Sequence, residues 1–143
     1  MFKNFKIRRS QPEATPTLLA VTDSPSDRAL LRRMVESAGW KIVLAADLED
    51  ALGICNSQAI PVALYDRDLQ QVDWRQAVER LAEQRCRVIL ASFVADDYLW
   101  DELILHGGFD ILAKPFREDE LLHTLRFAWA TVMKSLPYAP RIV

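Results

Sequence analysis

The chain has 143 residues, half of them apolar and 27% charged, with a formal net charge of -2 at pH 7. That length supports one ordinary domain with a single core and no need for disulfides or a structural metal. The near-neutral balance argues against a polyanion-binding surface, so nucleic acid is not an expected partner. No apolar run approaches the roughly 18 residues that span a bilayer, and the N-terminus lacks the apolar core of a signal peptide. A cytoplasmic chain with no membrane partner is therefore expected. Cys55 and Cys86 lie far apart inside apolar segments and read as small hydrophobes rather than a bridge or metal ligands.

Residues 1–16 form a basic, then proline-punctuated segment with Phe2, Phe5 and Ile7, expected to be a flexible tail. The folded part is expected over 17–133, and the proline-broken residues 134–143 as a second tail with no separate effector domain. Residues 18–21 predict a first strand. Ser24 and Pro25 then supply an N-cap and a first-turn proline for a helix carrying Leu30, Leu31, Met34 and Val35, closed by Gly39. Residues 41–45 predict a second strand, and Asp47 caps a helix whose inner stripe is Leu48, Ala51, Leu52 and Cys55. Residues 62–65 give a third strand, followed by a helix with Trp74, Ala77, Val78 and Leu81 inward.

Residues 88–91 predict a fourth strand and about 96–106 a fourth helix, ended by Gly107 and Gly108, where positive φ is cheap. Residues 109–112 predict the fifth strand. The last helix, 117 to about 133, carries Glu118, Asp119 and Glu120 early, where its dipole favours acids. Short, uniformly apolar strands alternating with helices require a parallel sheet covered on both faces, a doubly wound α/β fold.

In such a fold ligand sites gather beyond the carboxyl ends of the strands. Four features stand there: Thr22-Asp23, Asp66, Ser92 and Lys114-Pro115. An aspartate attacks phosphorus only if charge on the phosphoryl group is neutralised and the attack is held in line. Asp23 and Asp66 would supply oxygen ligands to Mg²⁺, Lys114 a fixed ammonium, and Ser92 a hydroxyl for a phosphoryl oxygen. His106 and His123 lack ligand-like spacing and read as surface or packing residues.

The order and spacing of these motifs resemble the response-regulator receiver domain over roughly residues 17–133. The resemblance implies a five-stranded sheet in the order 2-1-3-4-5, a phosphoacceptor at Asp66, a metal site made by Asp23, Asp66 and the backbone carbonyl of Asp68, and a cis bond before Pro115. It also implies a histidine kinase or phosphotransfer protein as donor, and a downstream protein partner on the face of the fourth helix, fifth strand and fifth helix. Trp100 and Phe109 are the aromatic candidates for that face.

Three positions depart from the family pattern. Thr22 stands where the first acid of the pair is usual, which predicts weaker Mg²⁺ binding. Phe93 follows Ser92 where a small residue usually leaves room for a phosphodonor. Ile111 replaces the aromatic that usually couples to the hydroxyl. The Asp68 side chain either restores charge near the cation or is a solvated loop acid.

The leading expectation is a stand-alone signalling receiver, not an enzyme. The alternative is a degenerate receiver acting as a phosphorylation-independent interaction module, with homodimerisation among its modes of contact. A small nucleotide or flavin binder is disfavoured because Asp23 sits where a phosphate would have to lie.

Overall fold

The computed structural model describes residues 16–135. Five strands alternate with five helices: β1 (Thr17–Val21), α1 (Pro25–Ser37), β2 (Lys41–Ala45), α2 (Leu48–Ser57), β3 (Val62–Asp66), α3 (Trp74–Ala82), β4 (Arg87–Ser92), α4 (Asp97–Leu105), β5 (Asp110–Ala113) and α5 (Glu118–Ser135). All strand pairings are parallel, in the order β2-β1-β3-β4-β5. The chain therefore reverses its winding at β1, and the switch point between β1 and β3 opens the crevice where such sheets hold ligands.

Local chemistry accounts for the element starts. Ser24 Oγ accepts from Asp27 N at 3.2 Å and Pro25 occupies the first helical turn. Asp47 Oδ1 accepts from Asp50 N at 2.8 Å, and Asp96 Oδ1 from Leu99 N at 2.9 Å. Gly107 has φ +91°, and a side chain on Gly108 would collide with Leu103, whose Cδ1 lies 2.2 Å from the place a Cβ would take. That pair permits α4 to stop and turn directly into β5.

Strand periodicity divides the core in two. Leu19, Val21, Ala63, Tyr65, Val88 and Leu90 face α2, α3 and α4, whereas Leu18, Ala20, Val62, Leu64, Ile89 and Ala91 face α1 and α5. Several boundaries differ from the expectation. β5 begins at Asp110 rather than at residue 109, because Phe109 N bonds Val88 O as the chain enters the sheet. β3 and β4 each run one residue further, through Asp66 and Ser92, and α5 continues to Ser135, past the expected limit at 133. The tail expectations otherwise fall outside the described residues.

Both cysteines are free, with Cys86 buried and Cys55 half-buried against the same core layer. The neighbouring Cys86 holds the Cys55 thiol below the usual range, against a smaller opposing effect of burial, while the Cys86 thiol itself donates to Leu81 O at 3.3 Å. Trp40 and Trp74 are buried; His106 bonds Glu79 and packs edge-on against Trp74, and His123 is exposed.

Tyr65 is the largest fully buried side chain, and among the described residues its hydroxyl has no hydrogen-bond partner. Burial first, then the charges of Asp66 and Asp47, push its phenol up to about 12 from 10.0. Between those values the unfolded chain sheds a proton that the folded chain keeps, so stability falls as pH rises. Tyr65→Phe should flatten this alkaline loss. It should also leave neutral-pH stability unchanged or raised by up to about 1 kcal/mol, since no hydrogen bond is given up. Urea denaturation midpoints at neutral and alkaline pH measure both effects.

Candidate functional site

Backbone hydrogen bonds place the four motif segments side by side at the carboxyl edge. Thr22 N donates to Ala45 O at 3.0 Å, Arg67 N to Ala91 O at 2.9 Å and Lys114 N to Ser92 O at 2.9 Å. Each segment is therefore the direct continuation of a strand in register, and the Lys114-Pro115 bond is cis. Thr22, Asp66, Ser92 and Lys114 are all buried, so the Asp66 carboxylate sits in a poorly hydrated setting.

Asp66 Oδ1 accepts from Lys114 Nζ at 3.1 Å and from Asp68 N at 2.9 Å, and Oδ2 accepts from Thr22 Oγ1 at 2.9 Å. Thr22 Oγ1 in turn accepts from Ser24 N at 3.2 Å. The threonine is thus a donor to the acid itself, a contact that the sequence reading did not contain. Lys114 Nζ also lies 3.3 Å from Asp27 Oδ2 and 3.3 Å from Asp68 Oδ2. Three carboxylates share one ammonium. Burial works against the lysine charge, but the hydrogen bond and charge of Asp66, then those of Asp27, outweigh it and raise its pKa above the ordinary value.

Asp27 was missed from sequence. It occupies the first turn of α1, three residues after the Ser24 cap, where an acid usually reaches back to the cap N–H. Here Thr22 takes the Ser24 N–H, and Asp27 turns to Lys114 instead. The Asp68 carboxylate is 56% exposed and also pairs with Lys114, a contact the loop position alone did not indicate. Ser92 Oγ accepts from Val94 N at 3.1 Å and from Arg67 Nη1 at 3.3 Å. The Phe93 ring stands over the ammonium, 4.8 Å from centroid to Nζ, but is itself 65% exposed and lies at the rim.

Asp23 is exposed and makes no hydrogen bond or ion pair among the described residues. The Asp68 carbonyl likewise accepts no hydrogen bond among them. These two groups and Asp66 match the donor set that Mg²⁺ takes, a few carboxylate and carbonyl oxygens with the remaining positions filled by water. Among the described residues no three acidic, histidine or cysteine side chains form a metal cage. With those three groups as protein ligands, a bound ion would keep water in its remaining positions.

Trp100 is 40% exposed on α4, whereas Phe109 is half-buried against the core, with the exposed Phe127 ring 5.5 Å away. Ile111 packs against the α2–α4 layer. Among the described residues no helix is long and apolar enough to cross a membrane.

The fold is that of a two-component signalling domain. Residues 18–126 match the response regulator receiver domain, and the chain belongs to that family. It is 31% identical over 121 residues to the C4-dicarboxylate transport transcriptional regulatory protein DctD of Pseudomonas aeruginosa, covering 81% of this chain and 26% of that protein. It is 28% identical over 110 residues to the sensor histidine kinase RcsC of Salmonella typhi, covering 76% of this chain and 12% of that protein. The chain thus spans about a quarter or less of the length of these two relatives. The solved chemotaxis protein CheY4 of Vibrio cholerae superposes with a TM-score of 0.74 at 25% identity, covering 80% of this chain and 99% of that one. The signal receiver domain of an HD domain-containing protein from Pseudomonas fluorescens Pf-5 gives 0.77 at 23% identity, covering 85% and 91%, a likeness of fold. Receiver domains bind Mg²⁺ at the phosphorylation site and interact with histidine kinases or phosphotransfer proteins and with downstream partners.

The ammonium compensates the buried charge of Asp66 and also pairs with the more exposed Asp27 and Asp68. Lys114→Met should lower unfolding stability by about 3 kcal/mol, as expected when one partner of a buried pair is removed. Adding Asp66→Asn to that variant should recover part of the loss. A double-mutant cycle on urea midpoints measures the coupling.

Proposed function

We propose that this chain is a receiver that accepts a phosphoryl group on Asp66 from a histidine kinase or phosphotransfer protein. It then acts through protein contacts rather than as an enzyme of its own. The observation that carries the reading is the Asp66 carboxylate, buried and held at 3.1 Å by Lys114 within a crevice that also contains the Ser92 hydroxyl. The carboxylate is the nucleophile: its oxygen forms the new bond to phosphorus while the donor's leaving group departs with the electron pair. Hydrogen bonds from Lys114, Asp68 N and Thr22 fix the orientation of the acid before attack, so little reorganisation remains for the transition state.

A bound Mg²⁺ would supply charge neutralisation for the phosphoryl oxygens, with Asp23, Asp66 and the Asp68 carbonyl as its protein ligands. Lys114 keeps a positive charge beside the acceptor, and the Ser92 hydroxyl is available to a phosphoryl oxygen. The Phe93 ring narrows the approach over the ammonium, which favours a donor that can displace it. The added negative charge would draw Ser92 and Lys114 inward and shift the balance between two loop arrangements. The exposed Trp100, Tyr98 and Ile104 on α4 offer the contact surface that such a shift would alter.

Treatment of the chain with a small acyl phosphate and Mg²⁺ should add the mass of one phosphoryl group, and Asp66→Asn should abolish the adduct. A wild-type chain with no adduct under these conditions and with a kinase donor would overturn phosphotransfer. That result would leave a phosphorylation-independent interaction module.

Thr22 carries no charge toward the metal, so Mg²⁺ binding should be weak. Thr22→Asp should tighten it by about tenfold, or ~1.4 kcal/mol, in a titration followed by tryptophan fluorescence. The same variant should lose about 1 kcal/mol of stability with the Thr22 to Asp66 hydrogen bond.

A further inference from the structure

Arg67 follows the acceptor directly in the chain, and its backbone and its guanidinium are each tied to β4. The backbone N–H is pinned to Ala91 O at 2.9 Å, Nη1 donates to Ser92 Oγ at 3.3 Å, and the guanidinium carbon lies 5.9 Å from the centroid of the Trp74 ring. Ser92 Oγ accepts a second hydrogen bond from Val94 N at 3.1 Å.

A serine hydroxyl has two acceptor lone pairs and one proton. With both lone pairs occupied, the single remaining valence of Ser92 is its O–H, which acts only as a donor. Two donors on the same oxygen also polarise that O–H, and in a site where Ser92 is 2% exposed the polarisation is weakly screened.

The charge state of the crevice gives this arrangement a purpose. Lys114 is already shared by Asp27, Asp66 and Asp68, and Thr22 brings no carboxylate with which to hold a cation. An arriving phosphoryl group therefore depends more than usual on the donors that remain.

We propose that Arg67 is a positioning residue that holds Ser92 with its hydroxyl proton turned outward as a donor to a phosphoryl oxygen on Asp66. This inference rests on the phosphoacceptor reading above. Arg67 acts through Ser92, and its charge reaches the anion along the same hydrogen bond.

The test uses the full chain with Mg²⁺ and beryllofluoride, an anion that mimics a phosphoryl group on a carboxylate, followed by fluorine NMR. Arg67→Gln should weaken uptake by about tenfold, the scale of one charge-assisted hydrogen bond, and Arg67→Lys should restore part of it. Ser92→Ala should weaken uptake as well, and adding Arg67→Gln to it should cost little more. Urea midpoints of the same variants separate this from loss of folding. Uptake by Arg67→Gln that equals or exceeds the wild type would overturn the proposal and mark Arg67 as a latch that keeps Ser92 from the anion. An undiminished effect in the Ser92→Ala background would overturn it too. A wild-type chain that takes up no beryllofluoride would sink both this proposal and the phosphoacceptor reading, whereas wild-type uptake with an indifferent Arg67→Gln sinks this one alone.

Discussion

The ammonium of Lys114 is the contact around which the carboxyl edge is organised. It lies within 3.3 Å of oxygens from three different segments: Asp27 at the start of α1, Asp66 at the end of β3 and Asp68 in the loop beyond it. Three acids share that one cation, and without it their mutual repulsion would be felt most at the buried Asp66. Because Lys114 is itself tied by its backbone N–H to Ser92 O, the charge that holds the acids together is anchored to the β4–β5 half of the sheet. The site spans the switch point as one electrostatic unit.

Thr22 acquires its meaning from that unit. With an acid at this position, another negative charge would face Asp66 and would need a metal ion to offset it. The threonine hydroxyl donates to Asp66 Oδ2 instead, so that oxygen has a protein partner while Oδ1 is held by Lys114. The Asp66 carboxylate is thus hydrogen-bonded at both oxygens, while three acids still share a single ammonium.

The unpaired side of the crevice faces α3 and α4. Arg67, Ser92 and Trp74 lie there in one continuous set of contacts, and Arg75 stacks on Trp74 at 4.8 Å while its Nε binds Glu102 of α4 at 2.7 Å. Ile111 cannot rotate a hydroxyl in and out of the core, but this polar route reaches the same helix by other side chains. α4 also carries exposed apolar groups at Tyr98, Trp100, Ile104 and Leu105, so events at Ser92 and the surface that would meet a partner are physically contiguous.

The order of elements, their caps and the doubly wound sheet were legible in the sequence, because apolar periodicity, Ser24, Asp47 and the Gly107-Gly108 pair are local signals that act within one turn of chain. The strand-end placement of Asp66, Ser92 and Lys114 followed from the same alternation together with the resemblance. Tertiary structure alone decided which atoms meet: Thr22 donating to Asp66, Asp27 and Asp68 both pairing with Lys114, and Arg67 engaging Ser92. Those contacts link segments separated widely in the chain, and their choice depends on lone pairs, protons and charge competing for a few ångströms of space, which no one-dimensional pattern encodes.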